Sequence, residues 1–141
     1  MLNNLAVTLA SVIASIVTIS LPVQAQVAFT PITPGTLDLA PGSFDTLESQ
    51  TPVTIRVQSD RPVTLLVSPP HLVSGPTPDP DGTILAGVVS FGSTRVSSDF
   101  GNSLVSIPPG STDLEIDLRV KRPTPFMVGT YNYAVTLTVM P

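Results

Sequence analysis

The chain contains no cysteine, no tryptophan and a single histidine. Without cysteine there is no disulfide and no thiolate metal site, so the fold must rest on packing alone. Six Lys and Arg stand against ten Asp and Glu, for a net charge of -4. So little positive charge does not suit nucleic acid, where affinity comes mostly from cations neutralising phosphates. With only two Tyr and no Trp, flat aromatic platforms for sugars are scarce. Helical periodicity is missing too. After residue 26, no proline-free stretch of 11 residues carries apolar side chains at i, i+3, i+4 and i+7.

Charge is absent altogether from the first 25 residues. Residues 5–21 are an apolar-to-neutral run, broken by Pro22 and followed by Val23-Gln24-Ala25, an ending that suits a leader-processing site. At about 1.5 Å per residue the run reaches roughly 26 Å as a helix, short of the ~30 Å hydrocarbon core. The sequence therefore predicts a signal peptide over residues 1–25, the alternative being an uncleaved membrane anchor, and a single mature domain over residues 26–141. The product is expected to be secreted, periplasmic or at the cell surface, with no membrane span after cleavage. Residue 26 is Gln, and without cysteine bacterial-type lipid attachment is unavailable.

What remains is rich in period-two alternation. Leu114, Ile116, Leu118 and Val120 alternate with Asp113, Glu115, Asp117, Arg119 and Lys121, the pattern of a half-buried strand. Val53, Ile55 and Val57 form a second such face. Val63, Leu65 and Val67 form a third, after the turn Ser59-Asp60-Arg61-Pro62. Tyr131, Tyr133, Val135, Leu137 and Val139 make the last. Weaker strands are predicted at residues 36–39, 43–47, 83–91 and 103–107, with Ala40-Pro41-Gly42 as a turn and Gly87 as a bend. Residues 69–82, with five Pro and two Gly, predict a loop, and residues 123–125 another break. The pattern predicts an all-β, immunoglobulin-like β-sandwich of about seven to eight antiparallel strands.

The run Gly129-Thr130-Tyr131-Asn132-Tyr133-Ala134-Val135-Thr136-Leu137-Thr138-Val139 resembles the closing strand of secreted bacterial immunoglobulin-like and pilin-like domains, of the spore coat protein U and fimbrial-subunit type. Gly35-Thr36-Leu37-Asp38-Leu39 is similar to their opening strand. The resemblance covers these segments only. The chain lacks the cysteine pair many such proteins carry and ends in Met140-Pro141 rather than with a penultimate Tyr. The resemblance implies a structural role at a surface and no catalysis.

The residues that could carry chemistry have plainer explanations. His71 has no G-x-S-x-G nucleophile elbow to serve and follows Pro69-Pro70, so it reads as a solvent-facing loop residue. Asp113, Glu115 and Asp117 lie on one strand face at a spacing of about 6.8 Å, too flat to wrap a calcium ion. Asp79-Pro80-Asp81-Gly82 lacks the distal Glu of a calcium loop and reads as a turn. Arg119, Lys121 and Arg122 read as a solvated strand end. Phe44, Phe91 and Phe126 are expected in the core, and Phe100 is the best candidate for an exposed aromatic. No catalytic, metal or cofactor-binding residue is assigned, and no cofactor is expected. The expected function is non-enzymatic: a secreted structural or surface-assembly protein, pilin-like in its architecture, associating through sheet edges by β-strand addition. Val27-Ala28-Phe29-Thr30-Pro31-Ile32 is the candidate donor. The alternative is a soluble extracellular module binding glycan or peptide through the loops at residues 69–82 and 97–102.

Overall fold

The computed structural model describes residues 10–17, 27–98 and 102–140. It has twelve strands: β1 Ala10–Val17, β2 Val27–Thr33, β3 Thr36–Leu39, β4 Thr46–Thr51, β5 Val53–Ser59, β6 Val63–Val67, β7 His71–Ser74, β8 Ile84–Phe91, β9 Thr94–Ser97, β10 Ser103–Ile107, β11 Gly110–Lys121 and β12 Tyr131–Val139. No helix occurs among the described residues. The fold is the expected all-β sandwich, with two differences: more strands, and one parallel pair.

The larger count comes from proline kinks. β4 and β5 both run antiparallel to β11 along the same edge, on either side of Pro52. β2 and β3 continue each other along the far side of β5 and β4, across Pro34 and Gly35. β6 and β7 follow one edge of β12, across Ser68-Pro69-Pro70. Joining each kinked pair leaves eight chain runs from β2 to β12, the upper end of the expectation. The stretch at residues 69–82 is thus not all loop. Two prolines break the ladder, and the chain then re-enters it as β7.

Two serines mend these breaks. Proline has no N–H and cannot continue a ladder through itself. Beside Pro52, the Ser49 hydroxyl accepts the Leu118 N–H at 2.8 Å. Beside Pro69, the Ser68 hydroxyl accepts the Thr136 N–H at 2.9 Å. Gly35 fits the first kink because nothing larger does. Its φ is +78°, and an added Cβ would stand 2.8 Å from Val53 Cγ2 and 3.1 Å from the Thr51 carbonyl.

One layer contains β10, β6 with β7, β12 and β1. The other contains β2 with β3, β4 with β5, β11, β8 and β9. Their inner faces share one core, with Leu65, Val67, Tyr133, Val135 and Leu137 from the first layer and Ile55, Val57, Leu114, Ile116 and Leu118 from the second. These are the in-phase residues of the sequence alternation. Burying each such side chain contributes roughly 1.5–3 kcal/mol. The turn after Ser59 crosses between layers, and the Ser59 hydroxyl stabilises it by donating to the Arg61 carbonyl at 2.6 Å.

Other expectations shift. Gly87 causes no bend: the β8 ladder with β11 passes through it without a register shift, and the Ser98 N–H donates to its carbonyl at 2.8 Å. The strand expected at residues 43–47 starts only at Thr46. The Ser43 hydroxyl donates to Asp45 Oδ1 at 2.6 Å, bending the chain and turning Phe44 outward, 72 % exposed. Phe44 is therefore not a core residue, whereas Phe91 and Phe126 pack against the core.

Candidate functional site

β12 is the most completely enclosed strand of its layer, with Tyr131, Tyr133, Val135, Leu137 and Val139 all buried, as the alternation predicted. One of its edges is covered by strands from residues 63–74. β7 pairs with residues 132–134, β6 pairs with residues 137–139, and Ser68 bonds Thr136 between them.

The other edge is covered by β1. Ala10–Val17 pairs in parallel with β12, one residue to one residue, from Ala10 opposite Tyr131 to Val17 opposite Thr138. This is the departure from the all-antiparallel expectation. At its start β1 also meets β3, with Ala10 opposite Leu37 and Ser11 opposite Thr36. These residues belong to the segment that the sequence reads as a leader. Residues 1–9 and 18–26, including the expected processing site, lie outside the described residues. Among the described residues, only β1 pairs with this edge of β12. Take β1 away and the best-buried strand of the layer becomes a bare edge of N–H and C=O groups, a template for another strand.

The candidate donor does not hang free. β2 pairs with β5, from Val27 opposite Ser59 to Thr33 opposite Thr54, with a register shift after Pro31. It is nonetheless an outer strand. Val27 and Phe29 are half-buried, while Ile32 is 45 % exposed. Its open end borders a shallow depression of about 560 Å³ lined by Val27, Ala28, Gln58, Ser59, Asp60, Gly110 and Ser111.

A second constellation lies where β11 leaves the sheet. Arg122 is buried, not solvated. Its Nε donates to Asp79 Oδ1 at 2.9 Å, its Nη1 to the Thr77 hydroxyl at 2.8 Å and its Nη2 to the Thr77 carbonyl at 3.0 Å. The guanidinium lies over Phe126 at 4.4 Å and Tyr131 at 5.0 Å. The Tyr133 hydroxyl donates to the same Asp79 oxygen at 2.8 Å. Burial, and then this bond to Asp79, push the Tyr133 phenol well above its usual range. The cluster pins the proline-rich chain after β7 to both long strands. A sequence signal for it existed. Continuing the period of Leu114, Ile116, Leu118 and Val120 by one step reaches Arg122, on the inner face, while Arg119 and Lys121 fall on the exposed side as expected.

The remaining singled-out residues are scattered. His71 is exposed on β7, paired through its backbone with Ala134. Asp113 forms a two-pronged pair with Arg56 at 2.8 and 3.1 Å, and that bond holds its carboxyl below the usual range. Glu115 stands exposed between Thr54 and Ser90, and Asp117 is half-buried opposite Val88. No group of three or more His, Cys, Asp or Glu among the described residues could hold a metal ion. Asp79 to Gly82 turns as expected, with the Thr83 N–H donating to the Pro80 carbonyl at 3.2 Å. Phe100 lies outside the described residues. No described helix is long and apolar enough to cross a membrane.

No known protein family matches the chain, and no curated protein does. Among solved structures, the chain is similar to the N-terminal domain of PorA at 11 % identity, over 92 % of this chain and 97 % of that one, with a TM-score of 0.30.

Proposed function

We propose that this protein is an exported, non-enzymatic structural component that joins other copies of itself by β-strand addition at the free edge of β12. The observation that carries this reading is the pairing of β12. Among the described residues, its second edge is closed only by residues 10–17, which lie in a segment with the features of a removable leader. A mature chain starting at Gln26 has a long edge beside a deeply buried strand, and such an edge recruits an incoming strand through main-chain hydrogen bonds. The favoured occupant is β2 of a second copy. It is an outer strand that pairs with β5 alone among the described residues, with a register shift after Pro31, and it is the first strand after the new N-terminus. Each copy that donates β2 in one direction and accepts one in the other makes a head-to-tail contact, which propagates instead of closing.

The test is sedimentation velocity on the naturally exported protein across a range of concentrations, with mass spectrometry of its N-terminus. The reading expects a chain starting at Gln26 that associates as concentration rises, and a synthetic peptide of residues 10–17 that suppresses association by taking the edge. A chain starting at Gln26 that stays monomeric at every concentration overturns it, as does recovery of the intact chain from membranes.

A further inference from the structure

We propose that residues 10–17 act as a placeholder strand, which keeps the β12 edge closed for as long as the leader remains attached. The inference rests on the strand-addition reading above and adds its control: cutting the chain before Gln26 is what opens the edge.

Three observations support it. First, the match is complete. Eight consecutive residues of β1 pair with eight consecutive residues of β12 without a register shift. Second, the segment carries no charge over its whole length, so its pairing brings no unpaired ion to this largely apolar strand. Third, the hold is one-sided. β12 supports β1 along its length, but on the far side β3 meets only Ala10 and Ser11. A strand held mainly along one edge is well placed to be exchanged.

The tether decides when exchange occurs. In the uncut chain, β1 is joined to the domain through the short stretch between Val17 and Val27. A short linker gives an effective concentration in the millimolar range. An incoming strand from solution at lower concentration loses to it. After the cut, the same eight residues must be ordered with no tether to offset the lost backbone freedom. The placeholder then competes on ordinary concentration and is lost by dilution. One peptide bond thus separates a capped chain from an assembling one.

The test uses the full chain with a specific protease site substituted for residues 22–25, purified uncut. A fluorescent peptide of residues 10–17 is added before and after cutting, with anisotropy as the readout. The proposal expects no uptake by the uncut chain and clear uptake by the cut one. A second variant adds Ser11→Cys and Thr36→Cys. Paired residues on antiparallel strands stand about 4.5–5.5 Å apart between Cα atoms, within disulfide reach. Oxidised, this variant should refuse the peptide even after cutting, and reductant should release it. Equal uptake by cut and uncut chains overturns the placeholder, and so does uptake by the cut, oxidised variant. Uptake by the cut chain without self-association supports the placeholder and counts instead against β2 of a second copy as the natural occupant.

Discussion

β11 and β12 are the long central strands of the two layers, and they are finished differently. β11 has both edges closed by neighbours from residues 46–91, β5 with β4 on one side and β8 on the other. β12 has β6 and β7 on one side and, on the other, among the described residues, only β1 from the N-terminal segment. Both strands bury the same kind of alternating apolar face, so burial does not distinguish them. What differs is where the last hydrogen-bonding partner comes from. If the N-terminal segment is cut away as proposed, β12 keeps its buried core face and gains an open edge, the combination that strand addition needs.

The largest expected effect comes from the cluster that ties the two strands together. Arg122→Met leaves Asp79, 15 % exposed, without its cation. Breaking a buried pair by removing one partner should cost about 3–5 kcal/mol in chemical denaturation. A cost near zero would mean that β11 and β12 are held by the core alone.

The next comparison trims one core residue from each strand. Ile116→Ala and Leu137→Ala remove fully buried side chains, and each should cost about 2–5 kcal/mol in the uncut chain. Glu115→Gln, on the exposed face of β11, should stay within about 0.5 kcal/mol. Reversal of the Ile116 and Glu115 costs would invert the face assignment of β11.

Smaller effects follow at the mended kinks. Ser49→Ala strands the Leu118 N–H and Ser68→Ala strands the Thr136 N–H, each at a cost of about 1–2 kcal/mol in thermal unfolding. Equal costs in the uncut chain are expected. After the leader segment is removed, Ser68→Ala should become the worse of the two, because β12 then relies on one edge.

The smallest effect is alkaline. The folded state keeps the Tyr133 proton that the unfolded chain releases near pH 10. Its contribution is therefore full below about pH 10 and is lost as pH rises above that value towards the folded-state titration. Tyr133→Phe should flatten this part of the stability profile, and an unchanged slope would mean that the phenol's surroundings do not distinguish folded from unfolded chain.

Much of this was legible in the sequence, because period-two alternation reports directly which face of a strand is buried. The core faces of β5, β6, β11 and β12 follow it residue by residue. The kinks were harder to read, since proline marks a break without saying whether the strand resumes. Ser49 and Ser68 supply the answer only when their hydroxyls are seen bonding across the gap. Arg122 was concealed by its charge, although its phase pointed inward. Phe44 was misplaced because a local Ser43–Asp45 bond overrode its apolar character. The partner on the second edge of β12 could not be read from local pattern at all. An alternating strand looks the same with one neighbour as with two, and parallel pairing between residues 10–17 and 131–138 leaves no local trace.

Native-state hydrogen exchange, measured on the full chain with a cleavable site at residues 22–25 before cutting and again after the released segment is washed away, tests the difference between the two strands most directly. Before the cut, amides of β11 and β12 should both be strongly protected. Afterwards, the amides of Tyr131–Val139 should lose protection while those of β11 retain theirs. Unchanged protection of β12, or equal loss in both strands, would contradict the account.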